Sequence, residues 1–431
     1  MSTIKRLQRL IGEYPQGQNK PTRADVIGEL RRRVDTVMSR HVSASPKAPS
    51  PFRGTPPKLE SLIRGEEIEN DSGKFYLTED IIPGAYHHGI HPLRNICDID
   101  MKVLSMLADH SDITHFSYTD ALFLDTETTG LAGGTGTLPF LIGMGWFEGD
   151  SFVVRQIFIR DFKEERASLV FLLNLIQGKR FLVTFNGKTF DIGLLSTRLI
   201  MNRLHDSLSS IPHLDLLHPS RRLLGHRTDN TRLSTLEASI LGFRREGDLP
   251  GSEIPQRYFD WLKYGDARLL TDIFDHNRLD VISMVALTIH LAEILRDHHN
   301  ARFVEPSDLL AAARLLIDRE RIPEAQNVLV ELINATDRCL ACESRGLLSL
   351  LYKRAGLYDD AIKIWNMMIA DDPCDLFAVE ELAKWYEHRE RDFSRAITVV
   401  EHLLRHSRNM TSFEKESFNH RLARLRMRCS K

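Results

Sequence analysis

Ala121-Leu122-Phe123-Leu124-Asp125-Thr126-Glu127-Thr128-Thr129-Gly130 is the stretch on which the reading of the whole chain turns. Its apolar run, Ala121 to Leu124, leads straight into two acids, Asp125 and Glu127. A short unbroken apolar run reads as a buried central strand. Residues i and i+2 of a strand face the same side, so both carboxylates project into one space. Like charges at the tip of a buried strand are costly when nothing offsets them. A divalent cation between them does so, and carboxylate oxygens suit Mg²⁺ or Mn²⁺. A strand that ends in a polar turn is the plainer alternative.

Working outward, residues 138–147 and 152–159 read as two strands joined by the turn Glu148-Gly149-Asp150. A helix over 164–176 places Leu169, Leu172, Leu173 and Ile176 on one side. A strand over 180–185 ends at Asn186-Gly187; a helix over 190–204 and a short strand at 213–216 come next, with helices beyond. Three strands in a meander, then helix, strand, helix, strand, helix, is similar to the order of an RNase H-like α/β fold. The expected domain is a mixed five-stranded sheet flanked by helices, with the 121–130 strand at its centre.

Two later segments add acids. Thr184-Phe185-Asn186-Gly187-Lys188-Thr189-Phe190-Asp191 sets Asp191 at the start of a helix, where an acid also complements the helix dipole. In Asp275-His276-Asn277-Arg278-Leu279-Asp280-Val281, a helix puts His276 and Asp280 one turn apart on one face. Asp-x-Glu, Asn-x-x-x-Phe-Asp and His-x-x-x-Asp, in that order, resemble the DEDD superfamily of 3′→5′ exonucleases. With Gly247-Asp248-Leu249-Pro250-Gly251 and Pro255, the wider neighbourhood resembles its YprB-like, RNase H-like branch. The resemblance covers roughly residues 59–295.

The resemblance implies that Asp125, Glu127, Asp191 and Asp280 hold two divalent ions, Mg²⁺ or Mn²⁺. Metal ions about 4 Å apart clamp the attacking and leaving oxygens of an in-line displacement at phosphorus. It also implies that His276 orients or deprotonates the attacking water, for which a pKa near neutrality is apt. The sequence departs from the familiar DEDD subgroups, which carry Tyr four residues before the last Asp or His five before it. Here His276 stands four before Asp280 and Asp275 five before. The YprB-like branch shares this substitution, which leaves the identity of the general base open. Asp215, ending the fifth strand, is either a helix cap or an acid facing the site.

Strand contacts are expected from Thr128, Gly130, Asn186, Lys188 and Arg232. Arg221, Arg222, Arg227, Arg232, Arg244 and Arg245 form a basic tract between the third and fourth acids, broken by Glu237, Glu246 and Asp248. It reads either as a phosphate-contacting surface, which positions a strand without reading its sequence, or as an ordinary mixed-charge face. Gly130, Gly133, Gly134 and Gly136 form a loop that lets a nucleotide approach closely. It lacks the Lys-Ser/Thr ending of a P-loop, so it does not suggest a nucleoside triphosphate site.

The 431 residues imply two or three domains. With 42% apolar and 27% charged residues the composition is that of a globular protein, and the net charge of −2 supplies no global basic field. Attraction for nucleic acid must come from local patches. No signal-peptide core or membrane-spanning run is evident, and the five cysteines read as reduced thiols of a cytoplasmic protein. Cys339-x-x-Cys342 has no second pair for a zinc site. His87, His88 and His91 beside Gly84 and Gly89 read as a polar loop.

Residues 1–58 are expected to hold a capped amphipathic helix from Thr22, with Arg31 to Arg33 on it, and a Pro-rich linker. The exonuclease-like domain occupies 59–300. In 303–431 the chain is helical, with Ala325, Ala361 and Ala396 recurring 36 and 35 residues apart. This resembles tetratricopeptide repeats, whose period is about 34 residues. Such repeats either brace the first domain or dock a protein partner. The function implied is a two-metal 3′→5′ exonuclease acting on single-stranded ends of DNA or RNA. The alternatives are an inactive nuclease-fold scaffold that binds partners and a structure-selective endonuclease.

Overall fold

The computed structural model describes residues 55–130, 136–296, 303–407 and 410–430. The expected helix from Thr22, the Pro-rich linker up to residue 54, and Gly133 and Gly134 lie outside the described residues. Pro57–Lys431 clusters as one unit.

A seven-stranded mixed sheet forms its centre. In chain order the strands are β1 (Glu66–Asn70), β2 (Gly73–Pro83), β3 (Ala121–Thr128), β4 (Pro139–Glu148), β5 (Ser151–Phe158), β6 (Phe181–Thr184) and β7 (His213–Asp215). Their spatial order is β1-β2-β5-β4-β3-β6-β7. All five expected strands are there, with β3 central, antiparallel to β4 and parallel to β6. The hairpin β1–β2 adds two more: β2 begins at Gly73-Lys74-Phe75-Tyr76-Leu77, which itself reads as a strand after a turn, and pairs to β5 from Tyr76↔Phe158 to Pro83↔Ser151. Sequence pattern hid β1 because it has no apolar alternation: Glu66, Glu67 and Glu69 are all exposed on this outermost strand.

Among the helices, α1 (Met101–Ala108) precedes β3; α2 (Glu165–Ile176) and α3 (Asp191–Met201) cover one face of the sheet; α4 (Leu217–Leu223) and α5 (Ile254–Tyr264) follow β7. The 28-residue α6 (Arg268–Leu295) covers the other face. Strand alternation sorts β3 accordingly. Leu122 and Leu124 pack with Leu169, Leu172 and Leu195 of α2 and α3. Ala121 and Phe123 pack toward Val281, Ile282 and Val285 of α6. Asp125 and Glu127 continue that second face.

Two glycines of β4 let α6 lie close. A Cβ at Gly143 would collide with the Asn277 side chain, and one at Gly145 with Phe152 and Val281. The 87–92 segment is not the polar loop expected. His87–His88 and His91–Pro92 make a two-residue bridge pair, and His88 and His91 are buried against α6. There His88 Nε2 meets Ser283 Oγ at 2.7 Å and His91 Nε2 meets His290 Nδ1 at 3.1 Å.

Seven more helices follow: α7 (Pro306–Asp318), α8 (Ile322–Leu332), α9 (Arg338–Arg354), α10 (Tyr358–Asp371), α11 (Leu376–Trp385), α12 (Phe393–His406) and α13 (Ser412–Cys429). Ala325, Ala361 and Ala396 are fully buried near the starts of α8, α10 and α12, where a small side chain lets helices approach. Phe418, Leu422 and Leu425 form the buried side of α13. One apolar core cluster runs from Ile82 on β2 through α6 and α7 to Leu382 on α11. No described helix is long and apolar enough to cross a membrane.

Candidate active site

Acids gather where β3 outruns β6. Pairing with β6 stops at Phe123↔Val183, whereas β4 continues beside β3, with Asp125 opposite Gly143 and Glu127 opposite Leu141. A register shift between Glu127 and Thr128 ends the regular pairing there. α6 crosses this edge and brings His276, Asn277 and Asp280 over it. The turn after β6 delivers Asp191 from the other side, where its Oδ1 accepts a 2.5 Å hydrogen bond from Thr126 Oγ1.

Asp125, Glu127, Asp191, His276 and Asp280 are therefore brought together. Ligand atoms of Glu127, His276 and Asp280 all lie within 4.8 Å of one another. His276 Nε2 is 4.0 Å from Glu127 Oε1 and 3.7 Å from Asp280 Oδ2. Asp125 and Asp191 stand further back in the same charge cluster. The side chains of Glu127, His276 and Asp280 stay 12%, 15% and 17% exposed, so the cluster opens to solvent. Burial pushes the Asp125 and Glu127 carboxyls well above the usual carboxylate range, and repulsion from the neighbouring acids adds to it. Burial raises Asp191 to about 6 against the opposing Thr126 hydrogen bond. Such a set, with four carboxylates facing the single guanidinium of Arg245, matches the oxygen donors that Mg²⁺ and Mn²⁺ prefer.

Several residues at the site carry no clear mark in the sequence. Asn277 is buried on the sheet-facing side of α6; its Nδ2 donates to Asp125 Oδ2 at 2.8 Å, and its Oδ1 accepts from Gln156 Nε2 at 2.9 Å. A polar residue on an otherwise apolar helix face was the available signal. Asp248 Oδ1 holds His276 Nδ1 at 2.8 Å, which directs Nε2 at the acids. Arg245 is 5% exposed and bonded by Nη2 to Glu237 at 2.5 Å and also to Asp280. Glu237 lies in a π-helical turn, Glu237–Leu241, which no periodicity in the sequence announced.

The expected strand contacts fare differently. Thr128 Oγ1 donates to the Gly130 carbonyl at 2.8 Å, shaping the end of β3. Asn186 adopts a left-handed φ of 67°, and its N–H and that of Lys188 donate to the two oxygens of Asp215 at 2.7 and 3.1 Å. Asp215 also accepts from Leu217 N–H at the start of α4, so it clamps the turn and caps a helix. The Lys188 side chain is exposed. Arg232 is exposed as well, and its backbone N–H bonds Asn230, with no contact tying it to the acids. Much of the basic tract meets carboxylates within the chain: Arg222 pairs with Asp318, Arg227 with Glu305 and Asp308, and Arg245 as above.

Comparison with known proteins agrees with this architecture. Residues 122–292, the span from β3 to near the end of α6, match a family model of the RNase H superfamily. The domain is RNase H-like. The chain is 33% identical over 361 residues to YprB, an uncharacterized protein of Bacillus subtilis (strain 168), covering 81% of this chain and 84% of that one. It belongs to the YprB family. Among solved structures, the family B DNA polymerase of the hyperthermophilic archaeon Pyrobaculum calidifontis aligns with 55% of this chain and 29% of its own, at 14% identity and a TM-score of 0.34.

Proposed function

We propose that the chain is a divalent-metal-dependent nuclease that removes nucleotides 3′→5′ from single-stranded ends of DNA or RNA. The observation that carries the proposal is that Glu127 and Asp280 meet His276 within 4.8 Å at a solvent-facing edge, with Asp125 and Asp191 behind them, so that carboxylates from three separate elements gather there. These residues would hold two Mg²⁺ or Mn²⁺ ions, which when bound stabilise charge on the attacking and leaving oxygens of an in-line displacement.

The chain's own groups do the remaining work. His276, with Nδ1 bonded to Asp248 and near Arg245, turns Nε2 toward the acids, where as the Nδ1–H tautomer it would take a proton from the attacking water. Asn277 fixes the Asp125 carboxylate and keeps it aimed at the cluster. Thr128, Gly130 and the Asn186–Lys188 turn are assigned to the entering strand end, a reading supported by their places beside Glu127 and Asp191 in the chain and by the exposure of Lys188. Arg232 is assigned the same role farther out. The helix pairs with buried alanines support the tetratricopeptide-like reading of the C-terminal part. The ion pairs from Arg222 and Arg227 to α7 and its flank support bracing over partner docking.

One observation favours a second reading, an inactive scaffold: Arg245 already neutralises Asp280. The deciding assay incubates end-labelled single and double strands with Mn²⁺ or Mg²⁺, using wild type and Asp125→Ala. Stepwise shortening from the 3′ end by wild type, reduced at least about 10³-fold in Asp125→Ala, is the expected result. Discrete internal cuts would make the enzyme an endonuclease. No metal-dependent product from any strand would leave the scaffold.

A further inference from the structure

The arginine tract expected to attract a strand is largely engaged in internal ion pairs, yet the C-terminal helices hold a cationic cavity that nothing above uses. Its volume is about 330 Å³. Lys353, Lys384, Arg389, Arg421 and Arg424 line it against one carboxylate, Glu381. The local charge is not balanced. Lys353 and Lys384 share Glu381, and at the rim Glu380 meets Lys384 at 3.0 Å and Arg421 at 3.7 Å, which still leaves cations in excess. Arg421, Arg424 and Arg428 converge on the single buried carboxylate of Glu387 at 2.9–3.2 Å. Arg389 forms no ion pair among the described residues; it donates to Tyr358 Oη at 2.9 Å and lies over that ring at 4.9 Å.

Flat rings adjoin these cations. Trp385 and Tyr358 stack with centroids 4.8 Å apart, both only partly buried. Trp365, also in the wall, is 1% exposed, and its indole N–H has no acceptor. A buried donor without a partner is costly until something accepts from it. The wall is shaped by a second π-helical turn, Tyr386–Glu390, which carries both Glu387 and Arg389; such turns concentrate at functional sites.

We infer that this cavity holds a nucleotide unit of a single-stranded nucleic acid. The phosphate lies among Lys384, Arg389 and Arg424, and the base lies against the Trp385–Tyr358 stack. Cations beside aromatic faces are what sequence-tolerant strand binding requires. An acidic peptide would satisfy the charges but leave the rings without a role. Trp365 N–H is positioned to supply a neutral donor to the same ligand. The inference rests on the reading of the substrate as nucleic acid, but it concerns anchoring, not cleavage.

The test uses the full chain with EDTA present, so that nothing is cut, and follows the anisotropy of a short fluorescein-labelled oligothymidylate. Arg389→Glu is expected to weaken binding about tenfold or more and to flatten its salt dependence. Trp365→Phe, which removes the donor and keeps an aromatic, though smaller, ring, is expected to weaken it less, and in wild type the indole N–H resonance of Trp365 should shift on titration. The inference is overturned if Arg389→Glu, with unchanged circular dichroism and melting temperature, binds the oligonucleotide normally. It is equally overturned if an oligoglutamate peptide displaces the probe and itself shifts the Trp365 resonance more strongly. If wild type fails to cut any strand yet these binding results hold, the exonuclease reading falls and the anchoring site stands. If wild type cuts and the cavity variants bind normally, the reverse is true.

Discussion

Asp125 and Asn277 meet across a gap that only glycine leaves open, because a Cβ at position 143 would occupy the place of the Asn277 amide. Gly143→Ala is therefore expected to cost about 1–3 kcal/mol through forced displacement, and denaturant unfolding would measure it. It should also impair metal-dependent cleavage, although residue 143 has no side chain in the site. A companion expectation concerns charge. Asp125 sits among acids that push its carboxyl upward, so Asp125→Asn should melt higher than wild type in EDTA and lose the stabilisation that Mn²⁺ gives wild type. The sign with pH follows from Asp191, raised from 3.8 unfolded to about 6 folded. Its ionisation penalises the fold increasingly as pH rises from 3.8 to 6, and Asp125 and Glu127 are raised as well, so the Mn²⁺-induced rise in melting temperature should grow as pH rises through 6 and shrink below it. Asp248→Asn, which weakens the hold on His276, is expected to lower the rate about 10–100-fold. Asp125, Glu127 and Asp191 were legible in the sequence because they stand where a strand ends or a helix opens, and Asp280 because it follows His276 by one helical turn. Asn277, Arg245 and Asp248 were not legible as site residues, since their roles arise only from packing between segments distant in the chain.

At the scale of elements, α6 does most to organise the molecule. It roofs the sheet, presents His276, Asn277 and Asp280, and carries Ser283 and His290 against His88 and His91. Burial lowers His88 and His290 to about 3 and His91 to about 4, from 6.5. Neutral rings are thus favoured in the fold, and their contribution is fully present above pH 6.5 and lost as pH falls from 6.5 toward 4. Stability measured by urea titration should decline over that window, and His88→Gln should flatten the slope. These histidines misled the sequence reading because their spacing beside glycines looked like a turn, and burial against a helix almost 200 residues away leaves no local trace. The strand order was legible from apolar runs and turn residues. Of the hairpin β1–β2, the start of β2 at 73–77 was legible as a strand, but β1 was not, since an edge strand need not alternate. The π-helical turns at 237–241 and 386–390 were equally hidden, and each buries a glutamate that gathers arginine.

At the scale of the whole molecule, the sheet and the C-terminal helices are not separable by inspection of the core. Apolar packing continues from α6 into α7, and Asp308 of α7 is fully buried beside Arg227 and His226. A chain ending at residue 300 would expose that apolar surface and leave Arg227 without its buried partner. It is expected to be poorly soluble, or to melt well below the full chain, whereas two independent domains would melt as they do in the full chain. The outermost strand has its own effect on how molecules meet. Among the described residues no strand pairs with the outer side of β1, which is fringed by Glu66, Glu67 and Glu69. A second copy adding its own β1 there would bring acid against acid, so crowding should not drive these molecules to zip together into fibres.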